Sequence, residues 1–132
     1  RRIGRDSGLF HALQSLETPE QLHASPRLGA SWEGFALETV CRILDREEGD
    51  LYFWHTHAGA ELDLFWQAGG KSWGVEFKYE DAPRLTRSMK AALEDLGLER
   101  LWVVYPGKAA YRLSERVQVV PLADLGDTWV YE

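Results

Sequence analysis

Two strand-like runs on either side of Gly69-Gly70 constrain the fold of this chain more than any other feature. The runs are ELDLFW (61–66) and SWGVEFK (72–78), both rich in aromatic and apolar residues. A two-glycine turn between such runs is typical of a β-hairpin, because both turn positions need a positive φ. The sequence therefore predicts an antiparallel pair with a tight turn and a defined register.

The charged residues of this hairpin are predicted to share one face. The turn places Asp63 opposite Glu76 and Glu61 opposite Lys78, and side chains alternate along a strand. The apolar residues then share the other face: Leu62, Leu64, Trp66, Val75 and Phe77. A Glu–Lys pair is an ordinary cross-strand salt bridge, but two opposed carboxylates with Cβ atoms about 5 Å apart repel each other. A divalent cation such as Mg²⁺ would remove this repulsion, because it takes carboxylate oxygens as ligands.

A third acid is predicted to approach from a helix that begins at Ser31 and runs to about Glu47. At about 100° per residue, Glu33 falls within the apolar arc of this helix, whereas Glu38 lies on the opposite side. An inward carboxylate without a partner is costly. We therefore expect Glu33 to reach the hairpin carboxylates.

The rest of the pattern predicts a mixed α/β domain. The other predicted elements are short helices over 7–16 and 18–24, a strand over 51–57, a helix from Pro83 to a stop at Gly97, a strand over 101–106, one or two strands between Tyr111 and Pro121, and a helical turn over 122–125. From Ser31 the order of the core is α-β-β-β-α-β. We expect residues 1–30 to be a helical lead-in and residues 31–132 to be the domain itself.

Composition limits the classes of function. The net charge of −6 argues against a broad nucleic-acid footprint, although a bound metal would invert the local charge. The single cysteine, Cys41, has the pattern of a small buried helix residue and fits a reducing cytoplasm. No apolar run approaches the length of a membrane span, so no membrane partner is expected. The chain begins with Arg1 and its only methionine is Met89, which predicts a piece of a longer protein.

The order of these acidic residues resembles a known nuclease signature. Glu33 on a helix, Asp63 on one strand and Glu76-Phe77-Lys78 on the next resemble the PD-(D/E)XK nuclease superfamily. Longer segments resemble the C-terminal domain of unknown function of bacterial and archaeal AAA+-type ATPases: DSGLFHAL (6–13), LGASWEGFALE (28–38), GAELDLFW (59–66) and VEFK (75–78). The resemblance covers about Asp6 to Leu125. It implies a restriction-endonuclease-like core, a mixed sheet flanked by helices, and an upstream ATPase domain as partner.

The resemblance also implies a chemistry for these residues. Asp63, Glu76 and Glu33, with the backbone carbonyl of Phe77, would bind Mg²⁺ or Mn²⁺, and Lys78 would orient water or stabilise charge on the phosphate. The implied substrate is DNA, possibly RNA. The alternative is a catalytically silent nuclease-like domain that serves as an interaction or regulatory module of the ATPase, since a fold does not by itself establish an activity.

Two further groups of residues have open interpretations. Arg84, Arg87 and Lys90 on the second helix are candidates for phosphate contacts, or form a solvated helix face. His55 and His57 stand where the related domains often carry an Arg; they share one strand face, either as a metal pair or as polar surface.

Overall fold

A computed structural model describes residues 7–11, 31–44 and 51–126. Its elements, in chain order, are β1 (Ser7–His11), α1 (Ser31–Leu44), β2 (Tyr52–Thr56), β3 (Glu61–Ala68), β4 (Lys71–Phe77), α2 (Arg87–Leu96), β5 (Leu98–Tyr105), β6 (Tyr111–Ser114), β7 (Val117–Pro121) and a 3-10 turn (Leu122–Asp124). From α1 to β5 this is the predicted α-β-β-β-α-β order. The mixed α/β class is therefore confirmed for the described part of the chain.

The described strands form one seven-stranded mixed sheet in the order β1-β2-β3-β4-β5-β7-β6. β5 runs parallel to both β4 and β7, and the other neighbouring pairs are antiparallel. Parallel neighbours need a crossover connection, and α2 supplies it between β4 and β5. The predicted hairpin thus includes β4, the central strand of the sheet.

The two helices cover opposite faces of this sheet. On the α1 face, Trp102 and Val104 of β5 pack in one cluster with Leu37 and Val40. On the α2 face, Val103 of β5 packs in a second cluster with the helix residues Met89, Ala92 and Leu96. Residues 101–105 are all buried, as a near-continuous apolar run predicts for a strand covered on both sides.

The helix boundaries follow local capping chemistry. α1 begins at Ser31, as predicted. α2 begins at Arg87 and not at Pro83, because the Thr86 hydroxyl accepts a hydrogen bond from the Met89 N–H and so caps the first turn. Gly97 ends this helix with φ 62°, a left-handed conformation that glycine adopts without strain.

The prediction for residues 7–16 was wrong where the structure describes them. Ser7–His11 is a strand paired antiparallel to β2, from Ser7 opposite Thr56 to His11 opposite Tyr52. Without β1, β2 would present a row of unpaired backbone donors and acceptors, so sheet pairing outweighs a weak local helix pattern. Part of the predicted lead-in therefore belongs to the sheet. The helix predicted over 18–24 and the end of the first helix beyond Leu44 lie outside the described residues.

Cys41 behaves as its position on α1 predicts. The side chain is buried, and burial, with a smaller contribution from the nearby Glu38 carboxylate, raises the pKa of the thiol to about 12. A thiol that stays protonated in this way is chemically inert. Within the described residues, no helix combines the length and the apolar character needed to cross a membrane.

Candidate functional site

The turn end of the β3–β4 hairpin has the predicted geometry. Paired residues run from Leu64 opposite Val75 to Ala68 opposite Lys71. The two turn glycines have φ of 62° and 76°, as a tight hairpin turn of this kind requires. The predicted register is therefore confirmed over this part of the hairpin.

At the other end the two strands separate, and carboxylate side chains accept hydrogen bonds from backbone N–H groups of the opposite strand. β4 stays with β5: the Lys78 N–H donates to the Val104 carbonyl at 2.9 Å. The Phe77 N–H donates at 2.8 Å to Oδ2 of Asp63. The Asp63 N–H in turn points to Oε1 of Glu76 at 3.4 Å. Each acid thus accepts from the backbone of the other strand, and these contacts bring Asp63 and Glu76 together.

A register shift in β3 produces this parting. Between the pairs Tyr52–Phe65 and Trp54–Leu62, β2 contributes one residue and β3 contributes two, Asp63 and Leu64. Such a shift reverses the alternation of side chains. Leu62 packs in the α2 cluster while Leu64 packs in the α1 cluster. The prediction that both leucines share one face was therefore wrong, because it assumed unbroken alternation.

Glu76 and Lys78 form the charged centre of this region. Glu76 is 8% exposed and is the one charged side chain that is buried in the described part of the chain. The Lys78 Nζ lies 3.8 Å from Oε2 of Glu76, and 30% of the lysine side chain is exposed. A buried carboxylate is tolerated only with such partners. Lys78 thus pairs with Glu76, two residues before it in the chain. The sequence had predicted a cross-strand pair with Glu61 instead.

Glu33 occupies the predicted position on α1 but does not complete an acidic cluster. It is half-buried in the first turn, and Glu38 is exposed, in agreement with the predicted faces of the helix. Among residues 7–11, 31–44 and 51–126, no three or more His, Cys, Asp or Glu side chains are grouped to hold a metal ion. Metal ligation by Glu33, Asp63, Glu76 and the Phe77 carbonyl stays a prediction.

An aromatic contact beside the charged centre was missed by the sequence reasoning. Tyr79, which follows Lys78, packs against Trp32, which precedes Glu33; their ring centroids are 5.5 Å apart with the planes inclined at 37°. Tyr79 is 64% exposed. The contact joins the first turn of α1 to the end of β4. An aromatic residue directly after the Glu-x-Lys motif was the available signal.

The remaining candidates lie on the surface or in half-buried positions. Arg84, Arg87 and Lys90 are exposed, and a role in phosphate binding stays a prediction for them. His57 is exposed, and His55 is half-buried and stacks on Phe53, with the ring centroids 6.3 Å apart.

A shallow apolar groove runs along α1 on the same side as Trp32. Its volume is about 520 Å³, and two of its lining residues, Phe35 and Ile43, are 55% and 39% exposed. The other lining residues are Trp32, Thr39, Pro106, Gly107, Leu122, Ala123 and Gly126. The Thr39 hydroxyl donates to the Phe35 carbonyl within the helix, and the surface of the groove is mostly apolar.

Comparison with known proteins identifies the family of this chain. Residues 28–125 match the family described as Domain of unknown function (DUF4143), and the chain belongs to this family. Two similar proteins are the uncharacterized protein Mb2031c of Mycobacterium bovis and the uncharacterized protein Rv2008c of Mycobacterium tuberculosis. Each is 44% identical over 117 residues, which make up 89% of this chain and 26% of the relative. The chain thus spans about a quarter of the length of these relatives. No solved structure matches the chain.

Proposed function

We propose that this domain is a divalent-metal-dependent phosphodiesterase of the PD-(D/E)XK type that hydrolyses DNA or RNA on a restriction-endonuclease-like core. One observation carries the proposal. Where β3 and β4 part, Asp63 accepts from the Phe77 N–H, Glu76 accepts from the Asp63 N–H, and the Lys78 ammonium lies 3.8 Å from Glu76. Two acids and a lysine at the opening of a hairpin, beside a register shift, have the composition of a phosphoryl-transfer site.

The donor set fits a hard divalent cation. Asp63 and Glu76 supply carboxylate oxygens, and the Phe77 carbonyl lies between them and Lys78 in the chain. Mg²⁺ is commonly held by one or two carboxylates and keeps several waters, so a third grouped acid is not required. Glu33 is assigned to the same ion through water. When bound there, Mg²⁺ or Mn²⁺ polarises the phosphate and lowers the pKa of a water molecule.

Side chains of the protein supply the other functions that the proposed reaction needs. Lys78 is the cation of the site, and it orients the attacking water or neutralises charge that develops on the phosphate oxygens. Glu76 fixes the lysine ammonium through their ion pair. Asp63 keeps β4 in place by accepting the Phe77 N–H, so the same side chain contributes both to the site and to the strand that carries it.

Two isosteric substitutions test this function without removing the backbone contacts. Asp63→Asn and Glu76→Gln keep an oxygen acceptor for the Phe77 and Asp63 N–H groups but remove the negative charge. We expect each to lower Mn²⁺- or Mg²⁺-dependent cleavage of linear, branched and single-stranded substrates by at least about 10²-fold, and Lys78→Met to do the same. We also expect Mg²⁺ to raise the melting temperature of the wild type but not of Glu76→Gln.

Glu38→Gln is the matched control, because Glu38 is an exposed acid on the far side of α1. It should cleave and bind metal as the wild type does. Undiminished cleavage by folded Asp63→Asn or Lys78→Met would refute the assigned site. Absence of cleavage from every substrate, together with no shift of melting temperature by either metal, would refute the enzyme function.

A second function, an interaction module, is favoured by the apolar groove on α1. The related proteins carry about three quarters of their length outside the matched region, since the match is 26% of each. The occupant proposed for the groove is an apolar segment of an AAA+-type ATPase domain attached to the same polypeptide. In this alternative, Asp63 and Glu76 serve only to satisfy backbone N–H groups.

The alternative is tested on the full-length polypeptide. Phe35→Ser and Ile43→Ser place hydroxyls on the groove, and the expected result is a loss of ATPase regulation and faster proteolysis between the two domains. Arg42→Ser changes an exposed residue of the same helix outside the groove and should have no such effect. If all three variants behave as the wild type, the groove is not the docking surface.

A further inference from the structure

Three large apolar side chains are markedly exposed in the described part of the chain: Phe35, Ile43 and Tyr79. Tyr79 has the largest exposed fraction, 64%, and it lies directly after Lys78. An aromatic ring next to a cationic side chain is the combination that binds stacked bases of single-stranded nucleic acids. The contact with Trp32 does not account for the position of this ring, because it leaves most of the surface of Tyr79 in water.

The contact between Trp32 and Tyr79 ties this ring to both halves of the proposed site. Trp32 is half-buried against the core of the α1 face and precedes Glu33. Tyr79 rests on it with a centroid distance of 5.5 Å. One side of the tyrosine ring therefore packs against Trp32, which itself packs against the core, while the other side of the tyrosine ring is exposed to solvent. A planar group arriving from solvent can lie on that side.

We infer that Trp32 and Tyr79 form a stacking platform for an unpaired nucleobase, and that the substrate class of the proposed nuclease is single-stranded nucleic acid. The inference rests on the proposed function. Aromatic side chains bind bases through their faces, and this needs no particular sequence. Within a duplex each base face is covered by its neighbours, so away from duplex ends only an unpaired nucleotide can offer its face to Tyr79 while its phosphate reaches Lys78.

The charged residues around the platform favour contact with one stacked base and few phosphates over contact with a long stretch of nucleic-acid backbone. Lys78 precedes Tyr79, but the two residues that follow it, Glu80 and Asp81, are exposed acids. A long phosphate backbone would be repelled there. Binding then depends on stacking and on about one phosphate contact, and for single strands this predicts a weak salt dependence: an affinity loss of about threefold between 0.05 and 0.2 M salt.

The test measures binding without catalysis. Fluorescence anisotropy with labelled 12-nucleotide oligo-dA and oligo-rA, and with the corresponding blunt DNA duplex, is recorded in EDTA, so metal-dependent cleavage does not contribute. Tyr79→Ala is expected to weaken binding of the single strands by about 5- to 150-fold. Tyr79→Phe, which keeps the ring, is expected to bind as the wild type does. The DNA and RNA strands distinguish the two sources of an unpaired base.

Leu93→Ala is the matched control, because it also removes an apolar side chain that is partly exposed. Leu93 lies on α2, which packs on the opposite face of the sheet from α1 and Trp32, so its loss should leave binding unchanged. Melting curves of all variants show whether loss of the Trp32 contact has unfolded Tyr79→Ala. Tyr79→Phe provides a second comparison that does not depend on that variant.

Failure of the inference and failure of the proposed function have different signatures. Metal-dependent cleavage of duplex and single strand at equal rates, unchanged in Tyr79→Ala, overturns the stacking platform and leaves the nuclease. Tyr79-dependent binding of single strands with no cleavage in any metal overturns the nuclease and leaves the platform. Binding of the duplex as tight as that of the single strands, or Tyr79→Ala binding as the wild type, also overturns the platform.

Discussion

Strand β4 carries a lysine–glutamate ion pair at each of its ends. At the turn end, the Lys71 Nζ lies 3.9 Å from Glu99, and both side chains are more than half exposed. At the open end, the Lys78 Nζ lies 3.8 Å from Glu76, with exposures of 30% and 10%. The charged atoms are almost equally far apart, so burial distinguishes the two pairs. Water screens the first pair, whereas the second is partly removed from it.

The backbone differs between the same two ends. At the turn end, β3 and β4 stay paired in register from Ala68 opposite Lys71 to Leu64 opposite Val75. At the open end, the strands part after Leu64 and Val75, and the Phe77 N–H turns to a carboxylate. Charge is thus concentrated where the backbone needs acceptors. The acids of the proposed site thus also accept backbone hydrogen bonds that stabilise this end of the hairpin. A functional test therefore needs isosteric variants, which keep these hydrogen bonds.

The largest effect on stability is expected when the open end loses its acceptor. Asp63→Ala leaves the Phe77 N–H without a partner in a partly buried position, and we expect the free energy of unfolding to fall by about 2–3 kcal/mol. Asp63→Asn keeps an acceptor oxygen and should lose less than half of that. Urea unfolding of both variants measures the difference. Equal losses would show that the charge, and not the hydrogen bond, stabilises this end.

Breaking the buried ion pair is expected to have the next largest effect. Lys78→Met leaves the Glu76 carboxylate buried without its cation, which should lower the free energy of unfolding by about 1–2 kcal/mol at neutral pH. The double variant Lys78→Met/Glu76→Gln removes both charges and should recover most of the loss. A double variant that is no more stable than Lys78→Met would contradict the role given to the pair. Chemical denaturation curves provide the readout.

The turn end is expected to respond through its backbone. Gly70 has φ 76°, and nothing lies within 4 Å of the position of an added Cβ, so Gly70→Ala adds conformational strain without a clash. We expect a loss of about 1 kcal/mol in the free energy of unfolding. The response of the melting temperature to Mg²⁺ should stay as in the wild type. A lost response would mean that the two ends of the hairpin are coupled.

The smallest effect is expected at the exposed ion pair. Lys71→Met breaks a pair whose members are both more than half exposed, and the free energy of unfolding should change by less than about 0.5 kcal/mol. Thermal melting at low and high salt checks this. A loss as large as that of Lys78→Met would remove the distinction by burial on which the comparison of the two pairs depends.

Local signals in the sequence were sufficient for much of the fold. Gly69-Gly70 between apolar runs predicted the hairpin and its register near the turn, and Gly97 predicted the end of α2. The run LWVVYP (101–106) predicted a strand buried on both faces. The start of α2 was misplaced because Pro83 also suits a helix start, while the hydroxyl of Thr86 provides the cap.

The candidate site could be predicted only in part. The pattern of Asp63, Glu76 and Lys78 identified the residues that the structure brings together. No glycine or proline signals the register shift at Asp63 and Leu64. The shift places Leu62 on the opposite face of the sheet from the predicted one and changes the partners of the two acids. The aromatic residue after the Glu-x-Lys motif was a local signal for Tyr79, but its contact with Trp32 joins segments far apart in sequence, so no local pattern could identify that partner.

The sequence by itself determined the order of the elements from α1 to β5, the hairpin turn and the acidic residues at its open end, because these depend on turn chemistry and on the periodicity of apolar side chains. Only the tertiary structure decided that residues 7–11 join the sheet, that β3 leaves β4 after Leu64, and that Glu76 is buried beside Lys78. These features depend on which strand edge must be covered and which backbone N–H must find an acceptor. Both are settled by neighbours distant in the chain.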